Sequence, residues 1–323
     1  MLRFIIKRFL SMIFVLFSIS LLVFLIFFAT PGVDPAARIA GRNADQATLE
    51  AVRKDFGLDR PWPVQYAVMM KKLFITRDLT SFVNRGAKVV PQVLEAAPVT
   101  LSLVFGAAVV WVVVSVLMGL LAAVFRGSPL DVSLMILGLI GISMPVFWLG
   151  EVVNLLSQSR MHDTFLFSWV PPLGYIPFTE SPFGWFKVLV LPWLTLSVLY
   201  IGIYARVLRS SLIESQEQDY VRTARAKGIT EREVMLRHSL RTSMITYVSL
   251  FGLDFGALVG GAALLTEVVF GLHGVGKLTY DSLQNLDLPV IMACVMYAAF
   301  FVVLVNAVVD VFYAWLDPRV RYA

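Results

Sequence analysis

Gly271-Leu272-His273-Gly274-Val275-Gly276-Lys277-Leu278 falls one residue short of a phosphate-binding loop, in which backbone N–H groups and a lysine hold the phosphates and a hydroxyl side chain holds Mg²⁺. The hydroxyl should follow Lys277 directly. Leu278 stands there, and Thr279 comes one place late. The strand-like residues 265–270 supply the usual context, but so short a motif arises often by chance, and a turn-rich linker between two apolar segments is the preferred reading. Four carboxylates, Glu151, Asp254, Glu267 and Asp310, lie within or at the edge of apolar runs. An ionised carboxylate facing lipid costs at least about 2.5 kcal/mol, so each must meet protein, water or headgroups. Glu267 is expected to reach water at one end of its run, and Asp310 basic side chains at the other. His162 and His273 are isolated, without the neighbours that acid–base catalysis needs. Cys294 is the only cysteine, which excludes an internal disulfide, and no His/Cys cluster has zinc spacing, so no metal or other cofactor is expected.

Lipid is the solvent for most of the chain. Of 323 residues 58% are hydrophobic and 15% charged, and the mean hydropathy is +0.79. A crossing helix needs roughly 20 apolar residues. Residues 9–33, 99–125, 132–156, 188–205, 244–265 and 288–316 meet or approach that length, predicting six spans. The first run is too long for the core of a secretory signal and reads as an anchor. An even number of spans puts Arg3, Lys7, Arg8, Arg319 and Arg321 on one side. The basic segment between spans four and five, from Arg206 to Arg241, joins them there. The positive-inside bias makes that side cytoplasmic. Residues 34–98 then form an external domain between span one (1–33) and a five-helix core (99–323).

Residues 215–243, SQEQDYVRTARAKGITEREVMLRHSLRTS, read as two short helices meeting at a corner. Tyr220, Val221, Ala224 and the stem of Lys227 follow helical spacing, and Gly228 sits where a left-handed terminal residue is wanted. Thr230 and Glu233 have capping-box spacing, with Ile229 and Val234 at the staple positions. A generic solvated loop would not need two caps and an apolar stripe. A DNA-reading helix-turn-helix would have to work while tethered to a bilayer at both ends, so no nucleic acid is expected. A docking knob for a cytoplasmic partner accounts best for the pattern.

Asp219-Tyr220-Val221-Arg222-Thr223-Ala224-Arg225-Ala226-Lys227-Gly228, followed by Arg237-His238-Ser239-Leu240-Arg241, resembles the EAA loop of ABC-importer permeases in the form used by dipeptide and oligopeptide systems. Ala224, Gly228 and Leu240 keep the general pattern, while Arg222, Thr223, His238 and Arg241 match the peptide-permease variant. Thr30 to Pro35, Gly57 to Pro61, Pro145 to Gly150, Val190 to Pro192, Gly271 to Leu278 and Leu316 to Arg321 extend the resemblance along nearly the whole chain. It implies an all-α type I importer permease in a bacterial inner membrane, with a second homologous permease as heterodimer partner. It further implies two cytoplasmic ATPases and an external solute-binding protein. The coupling residues would be Arg222, Ala224, Ala226, Lys227, Gly228, Ile229, Thr230, Glu233, His238 and Leu240, in a subunit that is not itself an enzyme.

In such a pore Asp254 and Glu151 either line a hydrated path, where they meet the amino terminus of a peptide, or serve helix packing. Glu151 departs from the usually apolar family pattern. The row Gly252, Gly256, Gly260, Gly261, Ala262 and Ala263 makes span five flat on one side, for a subunit interface or for internal packing. An ion-driven transporter would show inverted repeats, and none is found. An intramembrane enzyme would pair a nucleophile with a base, and the carboxylates lie scattered on different spans. The same subfamily also carries nickel chelates, opines and glutathione-like compounds, so the solute is expected to be a peptide by resemblance alone.

Overall fold

The computed structural model describes residues 2–28, 36, 46–84 and 86–316. Asp317 to Arg321, the Thr30 to Pro35 motif, and the side chains of Arg3, Lys7, Arg8 and Asp310 lie outside the described set. The described residues are helical apart from turns and an isolated antiparallel bridge between Thr80 and Lys88.

Helix α1 (Leu2–Phe28) is followed by α2 (Gln46–Phe56) and α3 (Trp62–Met70), which ends in a π-helical turn, Lys71–Ile75. Then come α4 (Val89–Val124), α5 (Pro129–Ser143) and α6 (Val146–Leu155, extended by the π-turn Leu156–Arg160). The long α7 (Pro182–Gln216) leads through α8 (Asp219–Ala226), the helical turn Glu231–Glu233 and the π-turn Val234–Ser239 into α9 (Leu240–Ala257). After the π-turn Leu258–Ala262 the chain ends in α10 (Leu264–Val269), α11 (Val275–Asn285) and α12 (Leu288–Leu316).

Five of these stretches are long and apolar enough to cross a membrane: Phe9–Ile26, Val89–Val124, Pro182–Gln216, Glu231–Ala262 and Leu288–Val309. The expected continuous third span is instead a pair, α5 and α6, that meets at 93° and counts as a sixth only if taken together. Pro145 explains the break. It has no N–H to give the helical ladder and forces Met144 into an extended conformation, with ψ 125°. Helix α4 starts at Val89, inside the segment assigned to the external domain, and α7 runs well past both ends of the expected fourth span.

Glycines let the core helices touch. A Cβ on Gly106 would lie 1.9 Å from the Trp193 indole of α7, and one on Gly202 would lie 2.3 Å from the carbonyl of Gly138 in α5. Along α9 and its π-turn, Gly252, Gly256 and Gly260 recur every fourth residue and face α12. Cβ atoms there would stand 2.2 Å from Val309, 3.6 Å from Val305 and 2.8 Å from Val302. These three glycines therefore serve internal packing, where close approach maximises dispersion contacts, while Gly261 of the same row has no atom near its Cβ position.

The described part of residues 46–84 packs on the bundle. The Tyr66 hydroxyl pairs with Ser20 of α1 at 2.6 Å, and its ring takes Phe17 and Phe24 edge-on. Buried Asp287, between α11 and α12, accepts from the Ser81 hydroxyl and from the Phe82 N–H at 3.1 Å.

Candidate functional site: the corner between α7 and α9

The corner is built by local chemistry. Helix α8 ends in a reciprocal pair of backbone bonds: the Gly228 N–H donates to Arg225 at 2.9 Å and the Ile229 N–H to Ala224 at 3.3 Å. That pattern requires a left-handed residue between them, and Gly228 has φ +76°. Ile229 then folds back against Ala224, Val221 and Val234, the last three buried, so the corner has a small apolar core of its own. Thr230 caps the next turn by accepting from the Glu233 N–H at 3.4 Å. Only half of the expected capping box forms, because the Glu233 carboxylate reaches forward to Arg237 at 2.7 Å. Arg225 crosses the corner to grip both carboxylate oxygens of Glu231 at 2.8 and 3.1 Å.

The remaining residues of the expected coupling set divide into two faces. Arg222, Ala226 and Lys227 are exposed, as are Tyr220 and Leu236, which leaves apolar area on the outside of the corner. Leu240 packs on the main core and His238 is half-buried, so the second half of the corner is rooted in α9 through the π-turn rather than through the regular helix expected there.

One element of this site escaped sequence reasoning. Buried Asp131 receives Arg209 of α7 bidentately at 2.6 and 2.7 Å and also accepts the Gly127 N–H at 2.9 Å. Nearby, Arg126 stands 3.5 Å from Glu217. The turn between α4 and α5 is thereby tied to the last turns of α7, just before the corner. Ser128-Pro129-Leu130-Asp131 is a helix-start signature, with Ser128 accepting the Asp131 N–H, and could have revealed the turn though not the ion pair.

Asp254 and Glu151 have different surroundings. Asp254 accepts the Tyr204 hydroxyl at 2.7 Å within an aromatic group in which Trp111 stacks on Tyr200 and Tyr204 meets Tyr247 edge-on. Glu151 is exposed on α6, and no hydrogen bond or ion pair among the described residues joins it to Asp254.

The phosphate-loop look-alike closes on a group of its own chain. Residues 264–269 are helical, not strand-like, and Glu267 is fully buried rather than near water. Its carboxylate accepts the Thr100 hydroxyl at 2.6 Å and the Lys277 N–H at 2.9 Å, while the Thr100 oxygen accepts the Val275 N–H at 2.8 Å. A Cβ on Gly274 would fall 2.5 Å from that carboxylate, and one on Gly276 2.7 Å from the Leu264 Cα. The glycines make room for Glu267, and two of the loop's amides, those of Val275 and Lys277, are already engaged.

A bundle of long apolar helices, with a folded corner between two of them that leaves Tyr220 and Leu236 exposed, has the architecture of a polytopic membrane protein. The chain belongs to the binding-protein-dependent transport system inner membrane component family, whose sequence signature matches residues 115–322. The signature of the N-terminal region of such membrane components matches residues 1–104. A putative peptide transport system permease protein of Brucella abortus is 37% identical over 318 residues, with 98% of each chain covered. A probable D,D-dipeptide transport system permease protein of Escherichia coli K12 is 35% identical, covering 96% of this chain and 95% of its own. A glutathione transport system permease protein of Escherichia coli O6:H1 is 36% identical across the full length of both.

Proposed function

We propose that this chain forms half of the translocation path of an ATP-driven importer of short peptides, paired with a second, homologous permease. Two cytoplasmic ATPases bind and hydrolyse ATP, and an external solute-binding protein delivers the cargo. The observation that carries this reading is the Gly228 corner. It is a small folded unit with its own core, joined without slack to α7 and α9, so a push on its outer face is transmitted to two spans rather than absorbed.

Both termini and the corner lie in the cytoplasm, as the basic residues from Arg206 to Arg241 favour, and residues 34–98 lie outside. The peptide class is supported by relatives named for peptide, D,D-dipeptide and glutathione transport, each matched over nearly its whole length. Asp254 is the carboxylate placed to meet a peptide ammonium, since aromatic walls lower the local dielectric and strengthen such a contact. Glu151 has no such setting.

Reconstitution of the complete complex in proteoliposomes tests this reading. ATP inside and binding protein outside should drive accumulation of a radiolabelled dipeptide, with neither sufficing alone. Uptake driven by a proton or sodium gradient without ATP would overturn it.

A further inference from the structure

A groove of about 760 Å³ opens between α1, α3 with its π-turn, the first turns of α4 and residues 293–300 of α12. It is within the size range of built ligand sites. Phe17, Leu73, Val93, Leu94, Met296 and Phe300 supply its walls, and the wall hydroxyls of Ser20 and Tyr66 satisfy each other at 2.6 Å. From Ala293 to Phe300 the groove follows α12 for seven residues, a depth of about 10 Å.

Among the described residues a single charged side chain lines it. Arg77 follows the π-turn with φ +55°, a backbone conformation uncommon for any residue other than glycine. No described residue pairs with its guanidinium. The adjacent Asp78 accepts the Thr76 hydroxyl, which holds its carboxyl below the ordinary range, with Lys72 and Lys88 adding to the effect. An apolar slot about 10 Å long, with one cation on its lining that no described residue pairs, lies beside the poorly buried span of α1 and suits a chain of methylenes ending in an anionic head such as a phosphate ester.

We propose that this groove holds one membrane phospholipid, with an acyl chain against Phe17, Val93 and Met296 and the phosphate on Arg77. The site is separate from the peptide path and from the corner. Its occupant bridges the α3 segment to α1 and α12, filling space that the protein's own side chains leave open.

The test uses the complete complex, extracted in mild detergent from membranes of phosphatidylglycerol and phosphatidylethanolamine, with retained lipid counted by native mass spectrometry after delipidation. The wild type should keep one tightly held phospholipid, enriched in phosphatidylglycerol. Arg77→Gln should lower its retention at least fivefold. Leu94→Trp, which starts from an exposed side chain and projects bulk into the groove, should expel it. Retention unaffected by Arg77→Gln overturns the proposal. So does a Leu94→Trp variant that keeps its lipid but loses the second permease on purification, because the groove would then be a protein interface.

Discussion

Glu267 and Asp254 are both carboxylates in an apolar setting, and the partners of each decide its role. Glu267 is fully buried and held by the Thr100 hydroxyl and the Lys277 amide, so its work is structural. Glu267→Ala should leave the Lys277 N–H and the Thr100 hydroxyl without an acceptor in a dry site, each costing about 1–3 kcal/mol. Thermal unfolding of the purified complex should shift down clearly, with Glu267→Gln intermediate because its carbonyl can still accept. Lys277→Ala should leave ATPase activity of the complex within about twofold, since Lys277 serves this loop through its backbone; loss of nucleotide binding there would reinstate the phosphate reading. Asp254 keeps acceptor capacity beyond its single bond from Tyr204. Asp254→Asn should therefore reduce uptake of a dipeptide with a free amino terminus about tenfold, while an N-acetylated analogue, taken up poorly by the wild type, changes little. Equal loss for both cargoes would make Asp254 a packing residue. From the sequence Glu267 was expected to reach water, and the structure buries it instead. Its partner was not legible, because Thr100 lies 167 residues away and only the packing of α4 against α10 and α11 brings them together.

Elements were legible where their signals are local. The Gly228 turn, the Thr230 cap and the Ile229 contact all lie within a few residues and appear as expected, except that Glu233 chooses Arg237 over the cap. The break at Met144-Pro145 had an equally local signal, but hydropathy alone ran through it and produced one span where the chain makes two helices at 93°. The Asp131–Arg209 pair depends on α5 crossing α7 at Gly138 and Gly202, a contact no sequence window contains. Asp131→Ala would strand the partly buried Arg209 charge, at a cost of order 2 kcal/mol once its partial exposure is allowed for. In cells the variant should accumulate yet import several-fold less, because α7 would reach the corner without its brace. The exchange of both residues, Asp131→Arg with Arg209→Asp, should recover part of the uptake. No recovery, with normal uptake in Asp131→Ala, would show that the pair braces nothing that matters for transport.

For the whole molecule, hydropathy located the five helices long and apolar enough to cross a membrane, while their packing rests on glycines whose partners lie on other helices. The glycine row of α9 was visible in the sequence, but the contact of Gly252, Gly256 and Gly260 with α12 emerges only in three dimensions. Orientation can be checked in intact cells. Cysteine introduced at Gln218 should resist a membrane-impermeant thiol reagent and cysteine at Asp59 should react; the reverse would invert the topology. Gly228→Val probes, with little else disturbed, whether the corner carries ATPase closure into the spans. A Cβ at Gly228 meets no atom within 4 Å, so the substitution costs only backbone strain, about 1–3 kcal/mol for a branched residue in the left-handed region. The spans satisfy their own backbone groups and should still insert. Co-purification of the ATPases and peptide uptake should be measured together in cells carrying Gly228→Val, with Gly228→Ala as the milder change. The Val variant should be present at normal level yet retain ATPases poorly or import at a small fraction of the wild-type rate. Full ATPase retention with wild-type uptake in the Val variant would contradict that coupling.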